Sequence, residues 1–296
     1  MKKQPSAFSL IEISVVIVII GILVAGVTQG SRLIKQMRLS SAKTQTQSSA
    51  VSSIKNIVLW LEPTMDGSVT SPTNGTNVDD TDIVSSWNDY NPQLSVKTNA
   101  TQSTSASRPS YVSNGINNLP SIRFDGTNDN LSITNVCTQN FTAFAVVKTA
   151  VAGTNGQGYQ GRPILWGDRI VNNFDGVPLA IGGGFTKTFN GDPDSTLTGV
   201  RSVSNNNTHI LVATRNMTSG ARNIYVDGVA DGSDSNGAPG TTLNDATTLL
   251  IGGNTINSIY FNGSIGEVII FDRVLKAEER KSVEAYLGKK WGVEVN

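Results

Sequence analysis

The chain has 296 residues, and its 23 basic and 23 acidic side chains cancel. With no basic cluster it offers no phosphate-binding footprint, which argues against nucleic acid as a partner. The single cysteine, Cys137, excludes an intrachain disulfide, and the single histidine, His209, has no second imidazole with which to share a metal. Cys137 is expected to be a small buried or partly buried side chain. His209, in Asn-Thr-His-Ile-Leu-Val-Ala, is expected at the end of a strand.

Residues 7 to 27 form the first predicted element, an apolar run of about 20 residues that is long enough to span a bilayer as a helix. Met1-Lys2-Lys3 precedes it, and Glu12 is the one charge inside it. A secretory signal would carry its small-residue cleavage site after the apolar core. Here the small residue, Ala7, lies before it, so a cut at that point leaves the hydrophobic segment on the mature protein. A carboxylate in hydrocarbon is costly, about 2.5–3.5 kcal/mol for Asp at a helix centre and less near an end. Glu12 therefore needs a partner, or, in a plain single-span anchor, reaches the headgroups. Lys2 and Lys3 on one side and Arg32, Lys35 and Arg38 on the other leave little orienting bias from charge.

The order Ala7, Phe8, Ser9, Leu10, Ile11, Glu12, then a β-branched run to Ile20 and Gly21-Ile22-Leu23, resembles the N-terminus of type IV pilins and pseudopilins. The resemblance implies that a prepilin peptidase cuts between Ala7 and Phe8 and that the new N-terminus is methylated. It also implies that Glu12 pairs in the assembly with the free amine of Phe8 on a neighbouring subunit. Other pilin or pseudopilin subunits are then the partners. The chain would sit as a single-pass protein of the bacterial inner membrane before assembly, with its bulk periplasmic or extracellular. The family usually has Gly where this chain has Ala7. Many major pilins place a Pro shortly after the run, where Gln29 stands here, so a continuous helix is expected.

Beyond the span, residues 28 to 57 contain no Pro, and Leu33, Ile34, Met37, Val51, Ile54 and Val58 recur at roughly helical spacing. The helix is accordingly expected over 8–56, after a 1–7 leader, with its sparse second-half stripe packed on the domain that follows. The Ser/Thr/Gln-rich stretch from Ser40 to Ser53 leaves a flexible polar stalk as the other reading.

From Ile57 to the C-terminus, short apolar runs alternate with loops rich in Gly, Asn, Asp, Ser and Thr, the pattern of an antiparallel β-sandwich. The predicted strands are Ile57–Leu61, Ser121–Phe124, Phe141–Val147, Ile164–Trp166, His209–Ala213, Asn223–Val226, Leu249–Ile251 and Glu267–Phe271. Asp227-Gly228 suits the two-residue turn of a hairpin. From Lys276 to about Trp291 a helix places Val283, Leu287 and Trp291 on one side. About 240 residues suit a single domain, 57–296.

Several stretches of this region resemble the laminin-G-like jelly rolls of the concanavalin A-like lectin/glucanase superfamily. They are Leu59-Trp60-Leu61-Glu62, Trp87-Asn88-Asp89, Arg108-Pro109-Ser110-Tyr111, residues 119–126, residues 141–147, residues 223–228, residues 266–275 and residues 286–292. The fold class is thus mainly β, with a long N-terminal helix and a C-terminal helix. This superfold hosts lectins, hydrolases and structural modules, so its function has to be read from sites.

Retaining glycosidases of the superfamily need two carboxyls roughly 5–5.5 Å apart. The comparable strand offers Glu267 and Asp272, an odd separation that puts them on opposite faces. With a single histidine and no nucleophile elbow, no enzyme is expected. Asp125-Gly-Thr-Asn-Asp-Asn130 crowds oxygen ligands on one loop. It reads either as a turn whose Asx side chains cap their own backbone or as a Ca²⁺ site at Asp125 and Asp129. Trp60, Trp87, Trp166 and Trp291 sit in apolar settings and read as core. Tyr159 is the aromatic placed in a loop and available to a carbohydrate. The ligand-binding residues are otherwise not indicated.

Three functions fit: a minor pilin or pseudopilin of a type IV pilus or type II secretion system; a surface adhesin or lectin that uses the pilin helix for delivery, with or without Ca²⁺; and, least supported, a surface enzyme.

Overall fold

A computed structural model describes residues 10–156, 160–167, 176–190, 196–243 and 247–296. The chain divides after Ser41 into a helical N-terminal unit and a compact C-terminal unit. Helix α1 (Leu10–Gln47) is continuous, as Gln29 in place of a Pro allows.

The helix stops nine residues short of the expected Asn56. The backbone tightens to an i+3 bond from Ser49 N–H to the Thr46 carbonyl, and a 3₁₀ turn (Ala50–Ser53) follows. Ser48 also turns its hydroxyl back onto the Thr44 carbonyl at 2.8 Å. Such local side-chain bonds compete with helix continuation. Val51 and Ile54 reach the core from this turn and its cap rather than from a helix face.

The strands in chain order are β1 (Ile57–Leu61), β2 (Val69–Thr70), β3 (Ser86–Trp87), β4 (Ala100–Thr101), β5 (Ser110–Ile116), β6 (Leu119–Asp125) and β7 (Leu131–Thr134). Then come β8 (Phe141–Lys148), β9 (Arg162–Gly167), β10 (Gly176–Gly182), β11 (Phe185–Asn190), β12 (Thr196–Ser202) and β13 (Thr208–Arg215). The last are β14 (Arg222–Val226), β15 (Val229–Asp234), β16 (Thr248–Ile251), β17 (Gly253–Asn254), β18 (Ile259–Tyr260) and β19 (Asn262–Phe271), followed by α2 (Ala277–Trp291). All eight predicted strands are present.

One sheet runs β15-β14-β13-β8-β19-β6-β5, and β1 also pairs with β19. The second sheet runs β12-β11-β10-β9-β16-β7-β4-β3-β2. β19 organises the first sheet. Along one edge it pairs with β8. Along the other its first half pairs with β6 (Asn262 to Ile265) and its second half with β1 (Val268 to Phe271). The β14–β15 hairpin turns at Asp227 and Gly228, with φ of 52° and 82°, the positive values such a turn requires.

Period-2 alternation separates two apolar layers. Inward from the first sheet, Leu59, Leu61, Ile122, Phe124, Ala145, Val147, Leu211 and Val268 meet Trp87, Leu131, Ile164, Leu179, Leu249 and Ile251 of the second. On the outer face of the first sheet, Trp60, Phe144, Val146, Ile210, Val212, Ile269 and Phe271 pack with Val283, Tyr286, Leu287 and Trp291 of α2. Gly266 lets this helix lie close: a Cβ there would stand 3.0 Å from the Trp291 ring.

The start of α2 is pinned by Glu279, which accepts hydrogen bonds from the Lys276 N–H at 2.9 Å and from Nη1 and Nη2 of Arg273, each at 2.7 Å. The Arg273 bonds hold its carboxyl down to about 2. A depressed folded-state value stabilises fully above the unfolded value, about 4.5, and that stabilisation is lost as pH falls toward 2. Glu279→Gln is expected to cost about 0.3–1.5 kcal/mol at neutral pH and to flatten the acid limb. Urea unfolding followed by tryptophan fluorescence from pH 6 to pH ~2 checks this, and an unchanged acid limb would dismiss the pair as its source.

Candidate functional site

The sequence-predicted processing residues Ala7 and Phe8 lie outside the described residues, as does Tyr159. Glu12 lies in the first turn of α1. Around it Leu10, Ile11, Ile13, Val15, Val16 and Ile17 are all at least half exposed, and so are Leu33, Ile34 and Met37 further on. This helix is long and apolar enough to cross a membrane. Its hydroxyls turn back on their own backbone: Ser14 to the Ile11 carbonyl at 2.8 Å, Thr28 to Val24 at 3.0 Å and Ser31 to Val27 at 3.0 Å. The segment therefore presents an apolar surface with its hydroxyl donors already engaged, which is what a lipid environment demands.

In the Asp125–Asn130 loop, Asp125 Oδ1 accepts the Thr127 N–H at 2.7 Å and the Asn128 N–H at 3.3 Å, an Asx turn. Asp129 Oδ2 accepts the Asp125 N–H at 2.8 Å. Burial raises the Asp129 carboxyl to about 6, helped by the Asp125 charge and opposed by that N–H and by Arg123. Among the described residues no group of three or more His, Cys, Asp or Glu is placed to hold a metal ion.

The remaining polar residues singled out from the sequence have structural surroundings. Trp60, Trp87, Trp166 and Trp291 are all buried. Cys137 is buried and free, and burial pushes its thiol up. His209 sits at the start of β13, with Nδ1 2.7 Å from Asp227 and Nε2 3.0 Å from Asn205. Glu267 is sealed beneath α2, whereas Asp272 stands exposed just past the end of β19.

One constellation could not be read from the sequence. Lys290, fully buried, donates to Glu62 at 2.6 Å and to Glu267 at 3.0 Å, and both carboxylates are fully buried too. Glu267 also accepts from Trp60 Nε1 at 2.6 Å, Trp291 Nε1 at 2.9 Å and the Tyr286 hydroxyl at 2.8 Å. Thr46, in the last turn of α1, accepts a third Lys290 bond at 2.8 Å. Burial, above all, raises the Glu267 carboxyl, while Lys290 opposes it. The pair is closed to substrate, and its effect is to fasten residues 46, 62, 267 and 290 together.

Lys290→Met strands two buried carboxylates and is expected to cost about 3–5 kcal/mol at neutral pH. The deficit shrinks as pH falls and Glu267, whose carboxyl burial raises, protonates. Melting at pH ~7.5 and ~5 tests this, and an equal loss at both values would refute the ionic account. For Asp129, whose folded value lies above the unfolded 3.8, the native state holds the extra proton between about 4 and about 6. Its contribution to stability therefore falls as pH rises through that window and is gone above it. Asp129→Asn, which keeps an acceptor oxygen, should abolish this slope. A slope that persists would assign it to another group.

Family models match the chain in two places. Residues 125–279 match the concanavalin A-like lectin/glucanases superfamily, and residues 2–28 match the prokaryotic N-terminal methylation motif. A comparison with curated proteins finds no match. Among solved structures, Trypanosoma rangeli sialidase in complex with 2,3-difluorosialic acid is similar with a TM-score of 0.52 at 16% identity, covering 88% of this chain and 39% of that one. The botulinum neurotoxin serotype D binding domain gives 0.50 at 16%, covering 83% of this chain and 56% of that one. The binding domain of Paraclostridial Mosquitocidal Protein 1 gives 0.50 at 12%, covering 80% and 55%. The chain thus spans between about two fifths and a little over half of these proteins, and at such identities the likeness concerns fold alone. With more than half of its residues matched by the jelly-roll model, the chain belongs to the concanavalin A-like lectin/glucanases superfamily, and it carries that domain behind a prokaryotic N-terminal methylation segment.

Proposed function

We propose that this protein is a minor pilin or pseudopilin. It is held in the bacterial inner membrane by α1 before assembly, joins a filament of like subunits through that helix, and presents the jelly roll outside the cytoplasm for structural or adhesive contact. The observation that carries the reading is the coincidence of Phe8 and Glu12, at the spacing of the methylation motif, with a helix whose apolar face has no cover and whose hydroxyls are internally bonded. A carboxylate set in hydrocarbon is costly. The amine that cleavage creates on Phe8 of a neighbouring subunit would offer Glu12 a counter-charge in the assembly. On this reading the role is non-catalytic, which is supported by Glu267 lying beneath α2 and holding Lys290 rather than facing a cleft.

The adhesive version of this role draws on the head. Its fold is shared with a sialidase solved with a sialic acid derivative and with a neurotoxin binding domain. This supports a carbohydrate as the contact.

Intact mass and N-terminal sequencing of protein from cell envelopes and from sheared surface filaments test the proposal. A mature start at methylated Phe8 and recovery in the sheared fraction are expected. Glu12→Val should still be processed and stay in the membrane, yet disappear from filaments. An intact Met1 confined to the membrane fraction would reduce the protein to a single-span anchored jelly roll.

A further inference from the structure

The outer face of the first sheet has two halves. Under α2 it is apolar. Past Gly266 the cover ends, and the strand register sets a polar row across five strands: Thr208 of β13 opposite Lys148 of β8, Lys148 opposite Ser264 of β19, Ser264 opposite Arg123 of β6, and Arg123 opposite Ser110 of β5. All five side chains are partly exposed. On the same strands and the same face Ile210, Val146 and Ile269 are buried, so the change of character comes from position along the strands and not from a change of face.

Lys148, Ser264 and Arg123 floor a groove of about 440 Å³, rimmed by Asn114, Asn206 and Asn262. That size is typical of small-ligand sites, about 300–1,000 Å³. Its lining contains two cations, three amides and two hydroxyl residues, with no acid and no aromatic. In a chain of zero net charge, the lining itself is thus positive, with Asp129 outside it. Arg123 hydrogen-bonds neutral acceptors, the Phe124 carbonyl, the Gly263 carbonyl at 3.1 Å and Asn262 Oδ1 at 2.7 Å, with the Asp129 carboxyl near enough to feel its charge. Neither it nor Lys148 has an ion-pair partner among the described residues. The rim is fixed as well. Thr149 Oγ1 donates to the Asn262 carbonyl at 2.6 Å and accepts the Val151 N–H at 3.0 Å, and the Asn206 N–H reaches the Thr149 carbonyl at 2.9 Å. A site held by such bonds loses little entropy on binding.

We infer that this groove, with Lys148 and Arg123 on either side of Ser264, binds a sugar residue that carries a carboxylate, of the uronic or sialic type. The two cations meet the carboxylate by charge-assisted hydrogen bonds. The amides of Asn114 and Asn206 and the Ser264 hydroxyl, each able to donate and accept, meet ring hydroxyls. The absence of an aromatic face speaks against stacked nucleobases, and the absence of apolar side chains larger than valine speaks against a lipid tail. The inference deepens the adhesive part of the function proposed above and is independent of filament assembly.

The test uses the full chain in a zwitterionic detergent without a sugar headgroup, at fixed ionic strength. Calorimetry is run with 3′-sialyllactose, digalacturonic acid, lactose and inorganic phosphate. At least one acidic sugar is expected to bind, with lactose at least tenfold weaker and phosphate unable to displace the sugar at equal concentration. Lys148→Glu should weaken binding at least tenfold with an unaltered melting curve, while Lys148→Arg retains it. Equal binding of lactose, displacement by phosphate at equal concentration, indifference to Lys148→Glu, or no binding of either acidic sugar would each overturn the site. Loss of the binding would leave filaments intact, whereas a wrong assembly reading would empty the sheared fraction and leave the binding untouched.

Discussion

A fully buried lysine shared by two fully buried glutamates is the constraint on which the compact unit depends. Desolvating three charges is expensive, and breaking such a group by removing one partner is worse than never having built it. Part of that cost is met by two indoles, a phenol, a threonine hydroxyl and the Thr64 N–H, all aimed inward, while Glu62 Oε2 is left buried without a hydrogen-bond partner. The members come from the last turn of α1, the residue after β1, the middle of β19 and the end of α2. Sequence neighbours could not assemble this set. The first sheet, the helix laid on it and the entry of the chain all have to be in place at once. The cluster therefore specifies one arrangement in a way that the interchangeable aliphatic contacts around it do not.

The same sheet then divides its outer surface between two tasks. α2 covers the half that carries Trp60, Phe144 and Phe271, and its last turn stops at Gly266, where a side chain would collide with Trp291. Beyond that point the face stays open and polar. The groove lies on this open half, walled by β5, by the segment that follows β8 and by Asn206 before β13.

Much of this was legible in the sequence, because it is local. The apolar run of residues 7–27, the period-2 strands, the Asp227-Gly228 hairpin and the amphipathic C-terminal helix each announce themselves within a dozen residues. The end of α1 was misplaced because Val51 and Ile54 fall at helical spacing, yet they are drawn to the core by a 3₁₀ turn. Glu62 and Lys290 gave no signal, being separated by 228 residues and joined only by packing. Arg123 and Lys148 were equally silent. Each looks like an ordinary strand-edge charge until the register of β6, β19 and β8 sets them on either side of Ser264.

β19 is also a mechanical element. Tension arriving along α1 enters the compact unit at two points, through Thr46 by way of Lys290 to Glu267, and through β1, whose first residue, Ile57, lies opposite Phe271. Both routes end on β19, and Ser264 lies on the same strand, beyond Glu267 and away from Phe271. A load between Ile57 and anything gripped at Ser264 therefore runs lengthwise along one strand. It shears the β1–β19 ladder with its hydrogen bonds acting in parallel, rather than peeling them one at a time. Such a connection yields late and all at once.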